Sequence, residues 1–208
     1  VVLWAWERPE DLRFIDPTTT GVAYLAATAF IQPDGAIRYH FRQQPLATPP
    51  NAARIAVVRI ESPPRYIFPP VGPLTQVLAG IAAQPGVIAL QIDFDARGSE
   101  HPFYMALLEA LRKSTPLPIG ITTLASWCEG GTWLPSGLVS EAVPMFFRMG
   151  RNESKSMPVT APICRNSLGV STDESWPARR PGRIYIFNPK PWTEAEYELA
   201  IKRLGQNP

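Results

Sequence analysis

The sequence predicts an α/β fold, a compact (β/α)8 TIM-type barrel with several outer helices reduced or missing. Three observations predict it. Eight extended apolar segments recur along the chain, several of them nearly continuous runs that suit strands covered on both faces. Helix-periodic stripes lie between some of these segments and not between others. The chain has 208 residues, fewer than the ~250 typical of such barrels, so part of the outer layer must be absent. An open α/β sheet is the alternative arrangement. No internal repeat or domain boundary is evident, so residues 1–208 are expected to form a single domain.

The expected strands are Val1–Trp6, Val22–Ile31, Ile55–Ile60, Val87–Phe94, Ile119–Ala125, Ala142–Phe147, Ile163–Val170 and Arg183–Asn188. Pro33-Asp34-Gly35 reads as a turn leading into an extra strand from Ile37 to Arg42. Leu74, Val77, Leu78 and Ile81 stand at i, i+3, i+4 and i+7, which predicts a helix after the third segment. After the fourth, Ser99 is expected to cap a helix that buries Phe103, Leu107, Leu108 and Leu111. Thr193 with Glu196 forms a capping-box pattern opening a final helix, with Tyr197, Ala200, Ile201 and Leu204 inward. Paired prolines at 49–50, 63–64 and 69–70 mark extended loops. Gly130, Gly131 and Gly169 read as turn residues.

Composition narrows the functions. The net charge of +2, with scattered basic residues, carries no footprint for nucleic acid or an acidic membrane surface. No apolar run is long enough for a membrane span. His40 and His101 are the only histidines, and neither stands near a Cys or His at ligand spacing. No metal site and no cofactor are therefore expected. No GxSxG elbow, Walker loop or GxGxxG follows a strand. Cys128 and Cys164 form either one disulfide or two reduced thiols; a nucleophilic Cys128 would lack an evident histidine partner. The chain opens on the strand-like VVLWAW without a methionine, which suggests a removed leader. The expected location is then periplasmic, or lipid-anchored to the envelope, with the cytoplasm as the alternative.

The most informative stretch is Leu90–Arg97, LQIDFDAR. Side chains alternate along a strand, so Gln91, Asp93 and Asp95 share one face and Ile92 and Phe94 the other. Two carboxylates running out of an apolar core are costly unless paired or used. In a barrel, the C-terminal strand ends build the active site. Those ends carry Trp4, Trp6, Glu7 and Arg8; Arg59 and Glu61; Gln91, Asp93, Asp95 and Arg97; Ser126, Trp127 and Glu129; Arg148; Asp173 and Glu174; and Asn188, Lys190 and Trp192. Acids, arginines and indoles on one rim resemble a carbohydrate cleft, since indole faces stack on sugar rings and paired acids can cleave glycosidic bonds. Asp95, Asp93 and Glu61 are the candidate catalytic residues. Trp6, Glu7, Gln91, Arg97, Trp127, Arg148, Asp173, Asn188 and Trp192 are the candidate substrate-binding residues. A structural reading stands beside this one: Asp93 satisfied by Arg148 or Arg59, Glu61 and Glu7 in surface pairs, and the first-strand tryptophans partly core.

The segments WAWERPEDL (Trp4–Leu12), VVRIE (Val57–Glu61), QIDFDAR (Gln91–Arg97), ITTLASWC (Ile121–Cys128), EAVPMFFRMG (Glu141–Gly150) and IFNPKPWT (Ile186–Thr193) resemble a bacterial family known as domain of unknown function 3142. That resemblance spans almost the whole chain and implies the fold and export rather than an activity. A weaker similarity is to glycoside hydrolase family 18, whose fourth strand ends in acids of the form LDIDWE. Laid on LQIDFD, it puts Gln91 on the first acid, Asp93 on the middle one and Asp95 on the proton donor. The sixth-strand pattern Met-x-Tyr-Asp falls on Met145, Phe146, Phe147 and Arg148. Gln91 replaces an acid, Asp95 is one methylene short, and Phe147 and Arg148 replace the Tyr and Asp that assist an N-acetyl nucleophile. The similarity therefore implies a sugar-binding barrel more than chitinase-type catalysis. Two functions follow: a metal-independent glycoside-hydrolase-like barrel acting on a bacterial polysaccharide or glycan, or a non-catalytic barrel binding carbohydrate or another envelope partner.

Overall fold

In a computed structural model describing residues 1–130, 133–149, 156–179 and 181–205, eight parallel strands pair in chain order and the last closes on the first. They are β1 (Val2–Ala5), β2 (Gly21–Ile31), β3 (Arg54–Glu61), β4 (Val87–Asp93), β5 (Ile119–Leu124), β6 (Glu141–Met145), β7 (Ser167–Ser171) and β8 (Arg183–Phe187). The fold is a compact TIM-type barrel with reduced outer helices. The open-sheet alternative is excluded by the β1–β8 and β1–β2 pairings. Ile37–Phe41 is the expected extra strand and lies antiparallel on the extended end of β2. Gly131 and Gly150 lie outside the described residues.

Alternation sorts each strand into an inner and an outer face. Val2, Trp4, Ala23, Leu25, Ile55, Val57, Val143 and Tyr185 pack together inside the barrel. The outer faces of β2 to β6 pack against α1 (Val71–Ala82) and α2 (His101–Ser114), and those of β7, β8 and β1 against α3 (Glu194–Gly205). One extra residue in β2, where the register to β3 shifts between Leu25 and Ala27, is a bulge near the upper rim. Gly169 is a buried strand residue of β7 and not a turn residue. A Cβ there would stand 3.1 Å from Cη2 of Trp4, so glycine admits the indole to the barrel axis.

The helices follow local signals with one exception. At α3, the Glu196 N–H donates to Thr193 Oγ1 (3.2 Å), and the Thr193 N–H donates to Glu196 Oε2 (3.2 Å), the reciprocal capping expected. At α2, Ser99 does not cap. A single 3-10 turn, Gly98–Glu100, precedes the helix, and the buried Glu100 carboxylate accepts the Arg97 N–H at 2.6 Å. α2 then buries Phe103, Tyr104, Leu107, Leu108 and Leu111, each contributing about 1.5–3 kcal/mol.

Between β5 and β7 the described residues form only short 3-10 turns outside β6, and a covalent bond links them. Cys128, in the turn after β5, is joined to Cys164, just before β7, by a disulfide across 36 residues. It ties the turn after β5 to the segment just before β7, on either side of β6. In the chain-entropy account such a loop contributes about 4 kcal/mol. It also leaves neither sulfur as a free nucleophile, which removes the possibility of a nucleophilic Cys128.

Candidate functional site

Side chains at the C-terminal ends of the strands line a cleft of about 690 Å³ that opens into the barrel mouth. One wall is aromatic. Trp6 just past β1, Phe187 at the end of β8 and Phe147 just past β6 form a continuous series. Phe147 and Phe187 stack at 5.5 Å, and Trp6 meets Phe187 edge-on at 6.2 Å. Trp4 supplies the floor, its ring 5.3 Å from Tyr185 and 5.9 Å from Phe147.

The opposite wall, from β3 to β5, is ionic. The LQIDFDAR alternation carries past the end of β4, burying Ile92 and Phe94 and turning Asp93 and Asp95 to the cleft. Asp93 has a side chain only 12% exposed and accepts a hydrogen bond from Thr122 Oγ1 at 2.6 Å. Arg59 sits over the Trp6 ring at 5.6 Å, pairs with Glu61 at 2.8 Å and reaches Asp93 at 3.8 Å. Burial raises the Asp93 carboxyl pKa; the neighbouring Asp95 and Glu61 charges add to this, while Thr122 and Arg59 oppose it. Asp95 stands exposed at the lip, yet shielding by the cleft walls also raises its pKa, against the pull of Arg59.

The candidates from the sequence separate into groups. Asp93, Asp95, Trp6 and Arg148 line the main cleft. Glu61 and Arg97 line a smaller adjoining groove shared with Arg59, Asp93 and Asp95. Arg97 is held there by Glu100 and by the Pro63 carbonyl. Arg148 has a left-handed backbone (φ 54°), donates its N–H to Glu174 at 3.0 Å and pairs with Asp173 at 3.2 Å. Such a backbone in a non-glycine residue is strained and is held here by these contacts. Asp173 also accepts from Ser171 Oγ, so it lies on the rim behind Arg148.

The other candidates lie elsewhere. Glu7 turns toward the β2 hairpin, accepting the Gln43 N–H at 3.2 Å. Gln91 is 1% exposed inside the barrel, accepting from Trp4 Nε1 at 2.9 Å. Trp127 packs outside the barrel, 4.6 Å from Trp133 and 6.1 Å from His101. Asn188 is buried between Thr172 (2.7 Å) and Glu196 (3.1 Å). Trp192 is core, its Nε1–H bonded to the Trp4 carbonyl at 3.1 Å. Phe147, Phe187, Thr122 and Arg59 complete the cleft. Inward parity with Tyr185, Met145 and Val57 marks them in the sequence once the barrel register is known.

Among the described residues no group of three or more His, Cys, Asp or Glu side chains could hold a metal ion. No helix among them is long and apolar enough to cross a membrane. Compared with family models, curated proteins and solved structures, the chain finds no match.

Proposed function

We propose that the barrel is a glycan-processing protein in which Asp95 donates a proton to a glycosidic oxygen. The observation that carries this reading is Asp95 itself. It is an exposed carboxyl with a raised pKa, in a cleft whose far wall is Trp6, Phe187 and Phe147. An acid of raised pKa keeps its proton closer to neutrality, as glycosidic general acids do. Aromatic faces offer the C–H faces of sugar rings a stacking surface. Asp93 lies behind Asp95, and the Asp95 charge helps to hold that deeper carboxyl toward its protonated form. Glu61, in the adjoining groove, is the third carboxylate of this acidic group. The similarity of LQIDFD to the acids of glycoside hydrolase family 18 supports the same assignment. The Cys128–Cys164 disulfide supports export to an oxidising compartment such as the periplasm.

A second reading is favoured by Arg59. It neutralises Glu61 and partly offsets Asp93, as a non-catalytic glycan-binding barrel would. One experiment separates the two: a polysaccharide hydrolysis screen, with glycan binding measured in parallel, on the wild type, Asp95→Asn and Trp6→Ala. The catalytic reading expects cleavage of at least one glycan, lowered by about 100-fold or more in Asp95→Asn with binding retained. Trp6→Ala should weaken binding. Binding without cleavage selects the second reading; neither cleavage nor binding refutes both.

A further inference from the structure

The bulge in β2 decides which side chains face the cleft above the barrel rim. Below it Ala23 and Leu25 point inward; past it the parity flips, because one extra residue turns the strand over. Ala27, Ala29 and Ile31 then join the outer core, and Thr28 and the half-buried Phe30 take the inner face. Register extends that face onto the neighbouring strands. Thr28 stands between Arg59 on β3 and His40 on the extra strand, and Phe30 stands between Glu61 and Arg38. Asp93 is in turn the partner of Arg59. Two rows therefore run outward from the acidic wall: Asp93, Arg59, Thr28 and His40, then Glu61, Phe30 and Arg38.

The extra strand carries this face beyond the barrel. It stands above β1, whose pairing with β2 ends at Ala5 and Tyr24. The Arg42 guanidinium fixes its base, donating to the Trp6 and Arg8 carbonyls at 2.6 Å each. Ile37 and Tyr39 pack on the outer core, which leaves Arg38 and His40 on the cleft side, both exposed. The other charged groups of the two rows have partners. Arg59 pairs with Glu61 and reaches Asp93, and Glu7 lies 3.9 Å from His40 Nε2. Arg38 has no hydrogen bond, ion pair or ring contact with any described residue.

We propose that this shelf is a recognition arm for an acidic glycan, with Arg38 pairing with a ring carboxylate and Phe30 stacking on the sugar. The inference rests on the glycan-processing reading of the cleft. Neighbouring strands lie about 4.8 Å apart, so Arg38 stands two strands, about 10 Å, from Glu61. Glu61 shares its groove with Asp95, so Arg38 meets a sugar beyond the one at Asp95. It sets specificity there and takes no part in bond cleavage. A guanidinium presents a planar donor fork that matches a carboxylate. Arg59 offsets the acids nearest the shelf, Glu61 and in part Asp93, which weakens their repulsion of such a ligand.

The test measures, by calorimetry, binding of oligosaccharides of polygalacturonate, alginate and hyaluronan, each beside its carboxyl-reduced form. Asp95→Asn protein is used so that cleavage does not consume the ligand, and cleavage by the wild type is followed in parallel. At least one acidic oligosaccharide is expected to bind, with its carboxyl-reduced form about fivefold weaker, the reach of one exposed ion pair. Adding Arg38→Ala should weaken the acidic ligand by about the same factor and leave the reduced form unchanged. Arg38→Lys should recover part of the loss. Arg38 is exposed, so both variants are expected to keep the fold. Equal binding of acidic and reduced forms, undiminished binding in Arg38→Ala, or no binding of any acidic form overturns the proposal. Arg38-dependent binding without cleavage upholds the arm and refutes only proton donation by Asp95. Cleavage of neutral glycans with no dependence on Arg38 does the reverse.

Discussion

Glu100 is predicted to hold the acidic groove together through its charge. It is 1% exposed and accepts hydrogen bonds from Ser62 Oγ (2.6 Å), Tyr66 Oη (2.8 Å), and the backbone and guanidinium of Arg97 (2.6, 3.0 and 2.5 Å). Burial alone would raise its pKa, but the Arg97, Ser62 and Tyr66 hydrogen bonds outweigh burial and hold it down at about 2, from 4.5. A carboxyl depressed on folding contributes stability that is fully present above its unfolded pKa and is lost as pH falls toward the folded value. Linkage sets the ceiling at about 3 kcal/mol, and solvent screening of the half-open Arg97 lowers it to about 2 kcal/mol. Glu100→Gln keeps the shape and removes the charge. Urea unfolding followed by tryptophan fluorescence should show a loss of about 2 kcal/mol near neutral pH, shrinking steadily toward about pH 3. A loss that stays constant across that range would assign the effect to packing and refute the electrostatic argument. An unchanged midpoint at neutral pH would refute it outright.

Asp93 should behave in the opposite sense. Its carboxyl is raised on folding, so the ionised form costs stability at neutral pH and the cost fades as pH falls through the folded pKa. Asp93→Asn keeps an acceptor for Thr122 and should stabilise by about 0.5–2 kcal/mol near neutral pH in the same unfolding assay; destabilisation there would contradict the desolvation argument. Replacing Cys128 and Cys164 together with serine should cost about 3–4 kcal/mol, measured by thermal unfolding of the non-reduced wild type against the variant.

The barrel is legible in the sequence because parallel strands covered on both faces are written as apolar runs, and all eight occur. Thr193 and Glu196 are legible because the cap is made by residues three apart. Ser99 misleads because Glu100 draws donors from Ser62 and Tyr66, a long-range gathering that outbids a local cap. In the site, Asp93 and Asp95 are legible because period-two alternation holds to the end of β4 and just beyond. Trp127, Trp192 and Asn188 sit beyond strand ends, where alternation no longer decides the facing, and tertiary packing takes them outside or into the core. Gln91 has the right parity and the wrong height: it belongs to the layer of Trp4, one layer below the mouth.

Arg59 explains how so acidic a strand end survives in the folded chain. Asp93 and Asp95 both have raised pKa values, so in their ionised forms they oppose folding rather than support it. Arg59 offsets part of that cost from a single position, pairing with Glu61 at 2.8 Å, reaching Asp93 at 3.8 Å and resting on Trp6 at 5.6 Å. It therefore joins the ionic wall to the aromatic one. The remaining cost falls on elements away from the mouth: the disulfide across the helix-poor side and the apolar layer under α1 and α2. A purely structural role would be served better by an apolar residue at the Asp93 position, since buried charges rarely repay their desolvation. That imbalance, local cost at the cleft against surplus elsewhere, is the physical reason the cleft is the candidate site on which the proposed function rests.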